Sequence, residues 1–383
     1  MDVNLEISSE DFKRNFFGKK PLLMRGACCT EDFSWHDANG IFARRDVMAN
    51  DFKLSSDGII PKSRYVESYW DIGELRHRLI RPAVYDALRD GATLIANKIK
   101  NEPIVESLAR QIGRFTGCQV VSSAYAAFGT RDSFRAHWDT RDVFAFQLIG
   151  RKRWIVYEPS LPDPIYTQQS KDYEQIYPCP EKPCMDFVLE AGDLFYLPRG
   201  WWHNPLPLGE PTFHVSLGVF PPLAMDYLAW AVGRAPSFAA LRKAIPDWEQ
   251  GQIPIATMAR HIADFLCSPE NYHQFRDEHR AAMRLDSPLA IDILGDPSGV
   301  NMLDEQRVQI SSNNLDDLEK NYVIANGTKV KLDGTGLATI RLIAQMPGIS
   351  VGKLLERLPG IDPLKLRVLV ADLCRQDVLE VVE

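Results

Sequence analysis

The chain has 383 residues, of which 45% are hydrophobic, and a formal net charge of −7. This length predicts two or three domains, and the hydrophobic content is sufficient for an ordinary core. The negative charge argues against general affinity for nucleic acid, which depends on neutralising phosphates. Direct nucleic-acid binding is therefore not expected, whereas a basic protein partner would suit this charge.

Cellular location is indicated by the cysteines and by the first residues. Seven cysteines form no paired framework, which favours a reducing compartment. The first residues lack the basic and apolar regions of a signal peptide, and no apolar run reaches the length of a membrane span. We expect a cytoplasmic protein that does not associate with membranes.

Residues 1 to about 220 alternate short strands and helices, and the first distinctive motif there is His137-Trp138-Asp139. Residues two apart on a strand point to the same side of a sheet, so His137 and Asp139 can face one metal. Two histidines and one carboxylate are the ligand set of non-haem iron(II) sites. His-x-Asp alone is common by chance, so the prediction needs a second histidine in a suitable setting.

A predicted hairpin follows this motif. The run Val143–Leu148 reads as a buried strand, Gly150-Arg151 as a turn, and Lys152–Tyr157 as the returning strand. Lys152 has two interpretations, because strand facing is poorly fixed by sequence. It belongs either to a solvated hairpin tip or to the inside of a barrel, where it would be a cation for a dicarboxylate.

The second motif ends at His203. Gly192-Asp193 predicts a tight turn, Asp193–Leu197 a short strand, and Pro198–Gly200 a turn that brings His203 back toward the first motif. This spacing resembles the second motif of cupin barrels. It departs from that pattern at Pro207, where cupins usually have Asn, and His-x-Asp replaces the first cupin motif His-x-His. The departure at the first motif favours oxygenases that use 2-oxoglutarate over general metal cupins.

The barrel is predicted to end with the strand Phe213–Phe220, which Pro221-Pro222 terminates. His214 and Ser216 share one face of this strand. The metal ligand set is already complete with three residues, so we interpret His214 as a hydrogen-bonded histidine of the barrel wall. Ser216 is a candidate contact for a co-substrate.

The rest of the chain has a different character. From Met225 to about Leu318 the apolar spacing is helical, and from about Tyr322 a strand, three helices and a closing strand are predicted in the order of a winged helix. The third of these helices mixes Lys365 and Arg367 with Asp372. A DNA-recognition helix would carry a more uniformly basic face, so a structural or protein-contact role is favoured.

The stretch from Ala136 to Trp154, with Lys152 fifteen residues after His137, resembles the JmjC-type 2-oxoglutarate oxygenases. It is most similar to the ribosomal-oxygenase branch, which hydroxylates side chains of ribosomal proteins, and residues 12–26 and 90–94 share the likeness. The resemblance implies an α+β fold with a double-stranded β-helix (the cupin or JmjC jelly roll) over residues 1–222. It also implies a helical dimerisation region over residues 223–320 and a winged-helix-like domain over residues 321–383.

The resemblance also assigns roles to individual residues. It implies iron(II) as cofactor, and 2-oxoglutarate and O2 as co-substrates. The implied catalytic metal ligands are His137, Asp139 and His203. The implied co-substrate contacts are Lys152, which would bind the far carboxylate, together with Ser123, Tyr125 and Ser216. Ser123 departs from the Asn found in several members of the family.

Three functions are compatible with these features. The favoured one is hydroxylation of an amino-acid side chain in a protein substrate, such as a ribosomal protein, by a homodimer. The second applies the same site to an N-methyl group, which gives demethylation, or to a small molecule. The third is a metal-binding cupin without enzymatic activity, which the complete triad and Lys152 disfavour. The helical segment could equally pack against the barrel of a monomer.

Overall fold

The computed structural model describes residues 1–244, 248–296 and 302–382. Its internal contacts divide the chain into two compact units, Met1–Phe220 and Pro221–Glu383. Among the described residues, no helix is both long enough and apolar enough to cross a lipid bilayer.

The first unit is built on antiparallel sheets. Its strands are β1 (Leu22–Met24), β2 (Phe52–Ser55), β3 (Val66–Asp71), β4 (Glu74–Leu79), β5 (Thr93–Ala96), β6 (Gln119–Ala127), β7 (Asp142–Ile149), β8 (Lys152–Tyr157), β9 (Met185–Leu189), β10 (Leu194–Leu197), β11 (Trp202–Pro207) and β12 (Thr212–Phe220). The major sheet has seven strands in the order β1-β10-β7-β12-β6-β5-β2, and a smaller sheet has the order β11-β8-β9. Strands β3 and β4 form a separate hairpin. The two larger sheets give the jelly-roll architecture that the sequence predicts.

The helices of this unit come before β6 in the chain, except the last, which lies between β8 and β9. They are α1 (Ser9–Asn15), α2 (Trp35–Ala43), α3 (Arg81–Arg89), α4 (Pro103–Thr116) and α5 (Ser170–Tyr173). Helix α4 starts at a proline, which suits the first turn of a helix, and ends at Gly117 in the left-handed conformation. Its buried residues Val105, Leu108 and Ile112 lie on one face, and the helix contacts β6 and β12 of the major sheet.

The strands of the predicted barrel are confirmed in their positions. Strand β7 is completely buried apart from its last residue, as expected for a strand covered on both faces. Its Phe144 lies in an aromatic cluster with Phe12 and Tyr196, with ring centroids 4.8 to 5.6 Å apart. This cluster forms part of the main core on the side of the major sheet that carries the helices.

The second unit begins with helices α6 (Ala224–Arg234), α7 (Trp248–Cys267), α8 (Pro269–Ala282) and α9 (Ile291–Leu294). The remaining elements are β13 (Arg307–Ile310), β14 (Tyr322–Ala325), β15 (Thr328–Lys331), α10 (Gly334–Gln345), β16 (Ile349–Ser350), α11 (Val351–Arg357), α12 (Pro363–Arg375) and β17 (Leu379–Val382). The three predicted C-terminal helices and the closing strand are present in the predicted order. Sequence reasoning missed β13, which pairs with β16 and β17.

Candidate metal centre

The two motif histidines are brought together by the backbone. His137 donates its N–H to the carbonyl of His203 over 3.1 Å, and His203 donates to the carbonyl of His137 over 2.8 Å. This reciprocal pair is an isolated bridge and not part of a named strand. The prediction of a regular strand through residues 137–139 is therefore wrong in detail, although the bridge gives those residues the extended pairing on which the argument depended.

One ligand atom from each of His137, Asp139 and His203 lies within 4.8 Å of the others. The Nδ1–H of His137 donates to the carbonyl of Arg135 at 2.9 Å, and that of His203 donates to the carbonyl of Trp201 at 3.0 Å. Such bonds fix the ring orientation and the tautomer. In each ring the other nitrogen, Nε2, is left with its lone pair for a metal.

The protonation states at this centre favour a cation. Burial opposes the charge on Asp139, but Arg141, His203 and His137 outweigh it and hold the pKa of the carboxyl below its usual value. Burial and the neighbouring His137 lower the pKa of His203 to about 4, although Asp139 opposes this. A carboxylate and neutral imidazoles are the forms that bind metals.

Trp138 points away from the ligands, as the alternation predicts. It is 1% exposed, its indole N–H donates to the carbonyl of Gln168, and its ring meets the edge of Trp202 at 4.7 Å. Both tryptophans are therefore packing residues that hold the backbone on either side of the histidine bridge.

Turn geometry in the second motif positions His203. Gly200 has a φ of +84°, and a Cβ there would lie 2.8 Å from the carbonyl oxygen of Leu161. The N–H of Gly200 donates to the carbonyl of Asp139 at 2.9 Å. The carboxylate of Asp142 accepts hydrogen bonds from the Tyr196 hydroxyl and the Arg199 N–H. Together these contacts fix the turn to the segment that carries the carboxylate ligand.

Lys152 is buried inside the barrel, which decides between the two interpretations of its position. It is 3% exposed and lines a cavity of about 80 Å³ together with the three candidate ligands. Its Nζ lies 3.1 Å from Nδ1 of His214, and no acidic side chain in the described part of the chain forms an ion pair with it. Burial lowers the pKa of Lys152 to about 7.

The other predicted co-substrate contacts divide between two neighbouring cavities. Tyr125 and Ser216 line both the lysine cavity and a wider one of about 290 Å³. Ser123 lines only the wider cavity, together with Tyr125. Ser123 is thus placed beside Asp139 and not beside Lys152, and its contact with a co-substrate stays a prediction.

Sequence reasoning did not single out two residues that stand next to the ligands. Trp154 stacks on His203 with ring centroids 5.8 Å apart and lines the lysine cavity. The alternation from Lys152 places Trp154 on the same strand face, so this signal was available. Arg141 pairs with Asp139 over 3.3 Å, and no motif marked it.

The cavity fits the groups that the resemblance implies. Two oriented imidazoles and a carboxylate match an iron(II) ligand set. The buried cation has no carboxylate partner among the described residues, and the indole N–H of Trp154 is buried without an acceptor there. Both groups are costly when left unsatisfied, and a carboxylate-bearing ligand would satisfy them.

The two sheets and the triad between them define a jelly-roll protein with a candidate two-histidine, one-carboxylate metal centre. The model of the JmjC domain family matches residues 94–227. This chain thus carries a JmjC domain, and the resemblance predicted from the motifs is confirmed at that level.

Curated relatives agree with this assignment. The chain is 26% identical over 216 residues to the bifunctional lysine-specific demethylase and histidyl-hydroxylase NO66 of Aedes aegypti, covering 55% of this chain and 33% of that protein. It is 36% identical over 108 residues to the protein of the same name from Drosophila erecta, covering 28% of this chain and 16% of that protein. The chain spans about a third or less of these relatives.

The fold is also that of solved structures. The ribosomal oxygenase YcfD from Escherichia coli matches with a TM-score of 0.60 at 17% identity, over 100% of both chains. Its complex with cobalt and 2-oxoglutarate matches with a TM-score of 0.61 at 16% identity, again over 100% of both chains. At this identity the likeness establishes the fold.

Proposed function

We propose that this protein is an iron(II)- and 2-oxoglutarate-dependent oxygenase that hydroxylates an amino-acid side chain of a protein substrate. The observation that carries the proposal is the joint placement of the triad and Lys152 in one cavity. A metal site alone would suit many functions. A buried cation without a carboxylate partner, beside a triad that leaves coordination positions open, suits a ligand with two acidic ends.

The roles of the residues follow from this geometry. His137, Asp139 and His203 hold iron(II), which when bound supplies the activation of oxygen. Lys152 binds the far carboxylate of 2-oxoglutarate, and His214 holds the ammonium group in place. Tyr125 and Ser216 lie where the two cavities meet and contact the bound co-substrate.

The barrel wall keeps water away from the reacting atoms. Trp154, Leu197 and Pro205 line the cavity beside the ligands, and Trp154 covers one face of the His203 ring. Exclusion of water strengthens the attraction between Lys152 and a carboxylate, because the local dielectric is low. It also protects reactive species from side reactions.

A protein substrate is supported by the names of the relatives. NO66 is named a histidyl-hydroxylase and YcfD a ribosomal oxygenase, so we propose a ribosomal protein as the substrate. N-methyl demethylation is the second candidate, because NO66 is also named a lysine-specific demethylase. We further propose a cytoplasmic homodimer with helical residues 223–320 as the dimerisation region and residues 321–383 as a winged-helix-like protein-contact domain. Its seven cysteines are all free, which suits the cytoplasm.

The test is turnover of 2-oxoglutarate to succinate by purified protein with iron(II) and ascorbate. It is run with and without a ribosomal-protein fraction, and the proteins are then weighed intact. We expect turnover that the fraction stimulates and one protein that gains the mass of one oxygen atom. Loss of a methyl group would instead identify a demethylase.

His137→Ala provides the control for this experiment, because it removes a ligand from the edge of the site. His77→Ala is the matched control, since His77 lies on the separate β3–β4 hairpin, where its ring hydrogen-bonds the Ser68 hydroxyl of the facing strand. The proposed function would be overturned if the His137→Ala variant still turned over 2-oxoglutarate. It would also be overturned if iron-loaded wild-type protein showed no turnover.

A further inference from the structure

Arg141 lies directly beside the candidate metal centre without belonging to the ligand set. Its Nη2 is 3.3 Å from Oδ1 of Asp139, whereas Oδ2 of the same carboxylate lies 3.8 Å from Nε2 of His203. The two oxygens of Asp139 therefore face different partners. One is directed to His203 and the other to the guanidinium.

Gly218 provides the space that Arg141 occupies. A Cβ at this position would lie 2.9 Å from Cδ and 3.0 Å from Nε of Arg141. Gly218 is in the middle of β12, paired with Val143 of β7 and Val121 of β6, and its φ is not in the left-handed region. Backbone conformation thus gives no reason for a glycine in this strand, whereas the stem of Arg141 does.

The position of Arg141 limits what it can do. Its side chain is 35% exposed, and it lines the wider cavity together with Asp139 and Gly218. It does not line the cavity that contains Lys152. Its ion-pair partner at the centre is the carboxylate ligand Asp139.

We propose that Arg141 is a positioning residue for the metal centre. It fixes the carboxylate of Asp139 so that only Oδ2 faces the metal, and residue 218 is a glycine because Arg141 needs that space. A carboxylate that can rotate is able to bind through both oxygens and occupy an additional coordination position. The proposed reaction needs the open positions of the site, so the proposal rests on the ligand assignment made above.

The experiment measures cobalt(II) binding by calorimetry and by the visible absorption of the bound ion, which reports its coordination number. The variants are Arg141→Ala, Gly218→Ala and the double variant. Arg153→Ala is the matched control, because Arg153 pairs with Asp186 on an exposed strand position. Thermal unfolding verifies that each variant is folded.

Removal of a group that orients a metal ligand typically weakens binding about 10- to 100-fold. We expect a loss in this range and an altered spectrum for Arg141→Ala, with a smaller loss for Gly218→Ala. In the double variant, the added methyl no longer meets the arginine side chain. Gly218→Ala should therefore cause no further loss of cobalt(II) affinity once Arg141 has been replaced. Such non-additivity is the coupling expected of two residues in contact. Arg141→Lys should restore part of the affinity.

Wild-type affinity and an unchanged spectrum in Arg141→Ala would overturn the proposal. An effect of Gly218→Ala that is equally large without the arginine would overturn the explanation of the glycine. Failure of the ligand assignment gives a different result: wild-type protein would bind cobalt(II) no better than His137→Ala. Failure of the proposed function alone would leave cobalt(II) binding intact and abolish the turnover of 2-oxoglutarate. The failures are therefore distinguishable.

Discussion

Nζ of Lys152 lies 3.1 Å from Nδ1 of His214, and both side chains are almost completely buried. Burial and the adjacent lysine lower the pKa of His214 well below its ordinary value, so the ring is neutral. A neutral imidazole can accept a hydrogen bond from the ammonium group without repelling it. The pair therefore suits an anion whose carboxylate supplies the negative charge that the Lys152 ammonium group lacks as a partner.

The first prediction concerns the affinity for 2-oxoglutarate. Lys152→Ala removes a charge-assisted hydrogen bond that contributes about 1.5–3 kcal/mol, so we expect the Kd to rise by roughly 10- to 150-fold. Calorimetric titration of the metal-loaded protein measures this directly. Arg151→Ala is the matched control, because Arg151 pairs with Glu210 at the exposed hairpin tip. Equal affinities for Lys152→Ala and wild type would show that the far carboxylate binds elsewhere.

The second prediction is a pH dependence of the same affinity. The pKa of Lys152 is about 7 in the free protein, and only the charged form attracts the carboxylate. As pH rises above about 7, the neutral form predominates and binding must include the uptake of a proton. We therefore expect the Kd to rise about tenfold per pH unit above this value.

Lys152→Arg tests the cause of that dependence, because a guanidinium stays protonated throughout this pH range. Its Kd should be nearly constant over the interval in which the wild-type Kd rises. Parallel profiles for the two proteins would mean that a different group titrates. Calorimetry in buffers of different ionisation enthalpy measures the proton uptake independently.

The third prediction concerns the packing behind the ligands. Trp138→Ala should lower the free energy of unfolding by about 3–5 kcal/mol, because it removes a fully buried aromatic side chain. Trp70, which is 75% exposed on the hairpin of β3 and β4, is the matched control. Trp70→Ala should change stability by about 0.5 kcal/mol or less. Denaturant unfolding followed by circular dichroism compares the two, and similar losses would contradict the packing role.

The fourth prediction concerns the turn that precedes Lys152. Gly150 has a φ of +65°, and a Cβ there would lie 2.1 Å from the carbonyl oxygen of Pro211. Gly150→Ala combines left-handed strain of about 1–3 kcal/mol with this collision. Gly73 has a φ of +80° with nothing within 4 Å of a Cβ, so Gly73→Ala has the strain alone. We expect a larger loss of stability for Gly150→Ala than for Gly73→Ala. Equal losses would show that the segment around Pro211 shifts away from the added methyl group at no cost.

Much of the candidate site could be predicted from sequence because short-range rules apply to it. The two-residue spacing of His137 and Asp139, and the turn signals before His203, depend on local geometry. The strands β7, β8, β10 and β12 were equally visible as apolar runs between turn residues. In these segments local preference and the tertiary structure agree.

Long-range placement could not be predicted in the same way. The sequence does not decide whether the side chain of Lys152 points into the barrel or to solvent, because it stands in a run of three basic residues. Its neighbours Arg151 and Arg153 are exposed and form ion pairs with Glu210 and Asp186. Only the burial of its side chain in the assembled barrel distinguishes Lys152 from these two arginines. The contact between Arg141 and Asp139 was missed because it depends on the missing side chain of Gly218, far along the chain. The placement of Ser123 in the wider cavity likewise depends on how β6 enters the sheet.

The backbone bridge between His137 and His203 has a consequence for how the protein acquires its metal. The two histidines are far apart in sequence, and the intervening chain forms β7 to β10 of both sheets. Closing the bridge brings the two ends of that segment together, so we expect the chelating geometry to form together with the pairing of those strands. Capture of the ion should therefore coincide with the last stage of folding, and nascent chains would be protected from binding it too early.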